Sequence, residues 1–98
     1  LSERGFVNLG NFYLRSGDLI NAKESYIRAI ALSSNINQNY LTLAMIYSGL
    51  GENKDAVDLL GMMIKKYPND KILQNTLQKI NTGESFDNVL LNKEIIIP

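Results

Sequence analysis

The feature that most constrains this chain is an internal repeat. Sliding the sequence against itself by 34 residues brings Leu9 onto Leu43, Tyr13 onto Tyr47, Gly17 onto Gly51, Ala22 onto Ala56, Ile30 onto Ile64 and Asn35 onto Asn69. Similar residues meet at Phe6 and Tyr40, Gly10 and Ala44, Asp18 and Glu52, and Tyr26 and Leu60. A repeat of this period means that each unit is one supersecondary element, which buries its apolar face only by stacking on a neighbour.

The spacing inside each unit is helical. Phe6, Leu9, Gly10 and Tyr13 follow i, i+3, i+4, i+7, and so do Tyr40, Leu43, Ala44 and Tyr47. Ala22, Tyr26, Ala29 and Ile30 carry the second half of one unit; Ala56, Leu60, Met63 and Ile64 carry that of the other. Between the halves stand Ser16-Gly17-Asp18 and Gly51-Glu52-Asn53. Glycine takes the left-handed conformation that ends a helix, while Asp18 and Asn53 suit the N-cap of the next. The pattern predicts helices over about 3–15, 19–32, 37–49 and 53–66, with Pro68 stopping the fourth. Asp70 should cap a fifth helix with Ile72, Leu73, Leu77 and Ile80 on its inner face, ended by Thr82-Gly83.

This pattern resembles the tetratricopeptide repeat. The first unit reads Phe6-x-x-Leu9-Gly10-x-x-Tyr13, then Ala22-x-x-x-Tyr26 and Ala29. The second reads Tyr40-x-x-Leu43-Ala44-x-x-Tyr47, then Ala56-x-x-x-Leu60 and Pro68. Phe6 stands where the family has tryptophan, Ser34 where it has the closing proline, and Met63 where it has a small residue. The resemblance implies an all-α fold: a right-handed superhelix of two helix–turn–helix hairpins with a C-terminal capping helix and tail. The array spans residues 1–83, with repeats at about 3–36 and 37–70 and the cap at about 71–82. In the third unit Leu77 matches Leu43 and Ile80 matches Ile46. Gln74, Gln78 and Asn81, however, replace the aromatic, small and tyrosine positions, which suits a solvating end.

Gly10, Ala22, Ala44 and Ala56 remove bulk where paired helices approach, and Phe6, Tyr13, Tyr26, Tyr40 and Tyr47 fill the space beside them. A large residue at Ala22 or Ala56 should overpack the hairpin by about 1–3 kcal/mol.

Composition excludes several function classes. Lysine plus arginine and aspartate plus glutamate are ten each, so the formal net charge is zero and the basic stripe of a nucleic-acid binder is missing. Lys65-Lys66 falls at a predicted helix end, where cations favour the dipole. With no cysteine there is neither disulfide nor thiolate metal site, and with no histidine no serine–histidine relay. The glycines stand singly and form no phosphate loop. Glu52, Asp55 and Asp58 fall at i, i+3, i+6 but read as a solvated first turn and not as metal ligands. Glu24 and Arg28 form a favourable i, i+4 surface pair. The chain is therefore expected to be neither an enzyme nor a cofactor or metal binder. No stretch has the length of a membrane span, and no signal peptide is visible. A cytoplasmic location is the default expectation. The chain starts at Leu1, which reads as a trimmed product or a fragment of something longer and leaves room for a removed targeting segment.

The resemblance implies that the first helix of each hairpin lines a concave face that binds a protein or peptide. Residues of those helices outside the apolar pattern are then the candidates: Arg4, Val7, Asn8, Asn11 and Arg15, then Gln38, Leu41, Thr42, Met45 and Ser48, and Asn75 and Lys79 on the cap. Asparagine amides both donate to and accept from a peptide backbone, and the cations suit an acidic ligand. The clamp by which relatives of this family grip acidic chaperone tails needs five lysine, arginine and asparagine positions. Only Asn11 fits; Val7, Thr42, Ile72 and Thr76 hold the other four, which argues against that ligand.

Residues 84–98 fit no repeat. Ser85 suits the cap of a short helix carrying Phe86, Val89 and Leu90, before Ile95-Ile96-Ile97-Pro98. These apolar groups are expected to dock on the last hairpin, on a second copy to give a homodimer, or on a further part of a longer protein. Two other roles stay open beside partner binding: self-assembly through the tail or the array ends, and a regulatory piece of a multidomain protein.

Overall fold

A computed structural model describes residues 1–32 and 37–83. Among them stand five helices and no strand: α1 (Glu3–Arg15), α2 (Leu19–Ala31), α3 (Asn37–Gly49), α4 (Asn53–Lys66) and α5 (Lys71–Asn81). Each helix packs on its neighbours in the chain, so α1–α2 and α3–α4 are hairpins and α2 joins one hairpin to the next. The expected bounds hold to within one residue, α2 ending at Ala31 with Leu32 as its C-cap.

Local chemistry places the ends. The Ser2 hydroxyl accepts from the Gly5 N–H at 3.1 Å, and Asp18 Oδ1 accepts from the Asn21 N–H at 3.1 Å. Asp70 Oδ1 accepts from the N–H groups of both Ile72 and Leu73. Hydrogen bonds from the Asn21 side chain and backbone hold the Asp18 carboxyl below its ordinary pKa. Gly17 (φ 77°) and Gly51 (φ 78°) are left-handed. Each closes a doubly bonded helix end: Asp18 N–H reaches Tyr13 O at 2.9 Å and Gly17 N–H reaches Leu14 O at 3.1 Å. The same two bonds recur one repeat later, from Glu52 to Tyr47 and from Gly51 to Ser48.

One cap differs from expectation. Asn53 is the first residue of α4, and Glu52 occupies the N-cap without a side-chain cap bond. The Glu52 carboxylate instead receives the Lys23 ammonium at 3.0 Å, tying α2 to the start of α4. That bond raises the Lys23 pKa above its ordinary value.

The core is continuous through both hairpins. Ala22, Ala44 and Ala56 are wholly buried, as are Leu14, Ile46 and Leu60. A Cβ on Gly10 would lie 2.7 Å from two ring carbons of the buried Tyr26, so only glycine fits where α1 crosses α2. Of the aromatics expected to fill this space, Tyr26 alone is fully enclosed, while Phe6, Tyr13, Tyr40 and Tyr47 are half-buried.

The inner face of α5 is one step out of the expected phase. Leu73 and Ile80 are buried and Leu77 is half-buried, but Ile72 is 63% exposed. Thr76 fills that place instead, its hydroxyl donating to Ile72 O at 2.7 Å. The spacing Leu73, Thr76, Leu77, Ile80 is the helical one, and a threonine enters it by bonding its own backbone. Gln74, Gln78 and Asn81 are exposed. The tail expectations, from Phe86 to Ile97, lie outside the described residues.

Candidate functional site: the first-helix wall

The twelve candidate residues divide by burial. Arg4, Asn8, Arg15, Gln38, Asn75 and Lys79 are exposed, and Val7 and Ser48 are half-buried. On α1 the exposed polar residues align: Arg4, Asn8 and Arg15 step by four and seven positions, which keeps them on one helical face. On α5, Asn75 and Lys79 are one turn apart and, with Gln78 and Thr82, line a shallow depression of about 500 Å³. The ion pairs among the described residues are Lys23–Glu52, Arg28–Glu24 and Lys54–Asp58. Arg4, Arg15 and Lys79 take part in none of them.

Asn11, Leu41, Thr42 and Met45 are committed to the interior, which corrects their assignment to an open surface. Leu41 and Met45 belong to the core cluster, and Thr42 is almost wholly buried. The reason is the position of α3. It is enclosed on every side, with Asn39 and all six residues from Leu41 to Ile46 buried. The α1 helix closes one flank, where the Asn39 side-chain amide donates to Glu3 Oε2 at 3.1 Å. A helix apolar all round is an internal helix. The signal was present in the unbroken run Leu41-Thr42-Leu43-Ala44-Met45-Ile46, which leaves no face for solvent.

Asn11 is buried for a polar reason. The Tyr26 hydroxyl donates to Asn11 Oδ1 and is also hydrogen-bonded by Thr42. Thr42 Oγ1 in turn accepts from the Gln38 amide at 3.2 Å. The result is a hydrogen-bonded chain across α3, α2 and α1, running from the exposed Gln38 to the buried Asn11. Burial pushes the Tyr26 phenol up to about 12 despite the Thr42 bond, which acts the other way. Among the described residues no buried side-chain nitrogen or oxygen lacks a partner. Nor does any group of three or more acidic residues there form a metal-holding cluster.

The repeat period, the hairpin geometry and the glycine contact under Tyr26 are joined here by a match to known sequences: the tetratricopeptide-repeat family model covers residues 3–36. Residues 3–36 are a tetratricopeptide repeat. No curated protein and no solved structure matched it. Tetratricopeptide repeats generally serve as non-enzymatic scaffolds for protein–protein interaction. Among the described residues, no helix of this repeat protein is long and apolar enough to cross a membrane.

Proposed function

We propose that this tetratricopeptide-repeat chain is an adaptor whose first-helix wall, built from α1, α3 and α5, holds an extended or helical segment of a partner protein. The observation that supports the reading is that Arg4, Arg15 and Lys79 are exposed and make no ion pair among the described residues, while Asn8, Gln38 and Asn75 on the same set of helices are exposed too. Exposed cations without an ion-pair partner favour a ligand of opposite charge, and exposed amides match a peptide backbone at either donor or acceptor. Val7 and Ser48 complete the wall, and the ligand class is a carboxylate-bearing segment. Asn11, Leu41, Thr42 and Met45 support that wall from within by fixing α1 and α3 in place.

The test is a peptide-display selection against the chain, followed by titration of the selected peptides. Lys79→Glu, or Asn75→Ala paired with Gln38→Ala, should lower affinity by about tenfold with unchanged helicity. Ile20→Ser, on the exposed side of α2, should leave it unchanged. The reverse pattern would move the site to the second helices and discard the wall.

A further inference from the structure

The α3–α4 hairpin carries a groove that the wall does not use. Leu43 and Tyr47 of α3 and Leu59 and Met62 of α4 line it, with Asp55 and Asp58 exposed at its rim, and its volume is about 260 Å³. The groove is not made by an end of the array, since α2 packs on α3 and α5 packs on α4. Its lining is apolar where the first hairpin is polar. Leu59 and Met62 stand at the places of Ser25 and Arg28, and Asp55 stands at the place of Asn21. Met62 is 58% exposed, so this apolar side meets water.

The charges separate the two hairpins further. In the first, Glu24 is met by Arg28 of the same helix at 3.4 Å, and both line the matching groove. In the second, Met62 replaces that arginine and no cation joins the lining. Asp55 makes no ion pair among the described residues. Asp58 holds Lys54 at 3.0 Å with both side chains largely in water, a contact that contributes little. Asp55 and Asp58 are one helical turn apart, so both carboxylates face the same side of α4. The Asp55 charge reaches the floor of the groove: burial pushes the Tyr47 phenol up, Asp55 pushes it further, and Lys23 acts the other way. Lys23 itself is held by Glu52.

An apolar floor below two carboxylates matches an arginine side chain, whose stem is aliphatic and whose planar guanidinium donates to more than one acceptor. The three arginines of this chain, Arg4, Arg15 and Arg28, all lie in helices, so a second copy offers no extended strand bearing one. We propose that the groove takes an extended segment of a partner protein carrying an arginine and, two positions away, a large apolar residue. The arginine crosses Tyr47 to bridge Asp55 and Asp58, and the apolar side chain packs on Leu59 and Met62. This surface shares no residue with the first-helix wall and selects the opposite charge, so it does not depend on that wall.

The test uses two synthetic peptides of about ten residues, enough to cross both helices when extended. Each has leucines two positions to either side of its centre, where an extended chain turns them to the same face. The centre is arginine in one and citrulline, its uncharged analogue, in the other. Fluorescence anisotropy with the whole chain should give at least about tenfold tighter binding of the arginine peptide. Asp55→Asn with Asp58→Asn should remove that preference, and Met62→Ser should weaken both peptides by about tenfold, with unchanged circular dichroism. Lys79→Glu, on the wall, should leave both affinities as they are. Absent binding of the arginine peptide, equal affinity for the two peptides, or a preference that survives Asp55→Asn with Asp58→Asn overturns the proposal. So does full affinity in Met62→Ser, or a change in Lys79→Glu as large as the one expected there, since the peptide then lies elsewhere.

Discussion

Two glycines inside helices show how context sets the sign of one substitution. Alanine is favoured over glycine in a helix by about 0.8–1 kcal/mol. At Gly61, exposed on α4 with nothing within 4 Å of an added Cβ, that preference acts alone. Gly61→Ala should raise stability by about that amount in urea unfolding. At Gly10 the added carbon meets the Tyr26 ring at 2.7 Å, and Tyr26 cannot retreat while its hydroxyl holds Asn11. Gly10→Ala should therefore destabilise, with an overpacking cost of about 1–3 kcal/mol exceeding the helix gain. Tyr26 also predicts an alkaline limit. Its phenol has a pKa near 12 in the folded chain and about 10 once unfolded, so the folded state binds more protons between those values. The stability that the neutral phenol contributes is complete below pH about 10 and is lost as pH rises toward 12. Tyrosinate absorbance should show Tyr26 ionising last of the five tyrosines, together with unfolding; a single transition near 10 for all five would contradict the burial.

At the scale of the helix, the turns are the part most directly written in the chain. Gly17 and Gly51 stand one period apart, both left-handed and both closing the same pair of bonds. Gly17→Ala should cost about 1–2 kcal/mol, since a left-handed alanine is strained whatever space surrounds it. The α3 helix is the contrasting case. The repeat pattern gives α3 the same open face as α1, yet among the described residues α3 has a helix on either side in the chain and α1 does not. Met45→Ala should accordingly act on folding, at about 2–5 kcal/mol, before it acts on any ligand. A binding loss without a fall in denaturation midpoint would return Met45 to the wall.

For the whole molecule, Phe12 and Ile46 form a controlled pair: same register, one exposed and one buried. Ile46→Ala should destabilise by about 2–5 kcal/mol, whereas Phe12→Ala should lie within about 1 kcal/mol of the parent. Equal costs would mean that the outer face of α1 is already covered. The Lys23–Glu52 pair spans the two hairpins but is partly solvated, so its removal should lower stability by no more than about 1 kcal/mol and less in high salt.

Helix number, bounds and turns were legible from residues alone because they rest on interactions within a few positions: a glycine that accepts positive φ, an aspartate reaching three residues on, a small side chain every 34 positions. Which face of each helix meets water was legible only where a single neighbour decides it. The structure alone separated Phe12 from Ile46, gave Thr76 the place expected of Ile72, and put Glu52 at the N-cap position expected of Asn53, its carboxylate on Lys23. Burial is a property of what lies across a contact. For a stacked array, that depends on how many hairpins stand on either side, which periodicity within one helix does not encode.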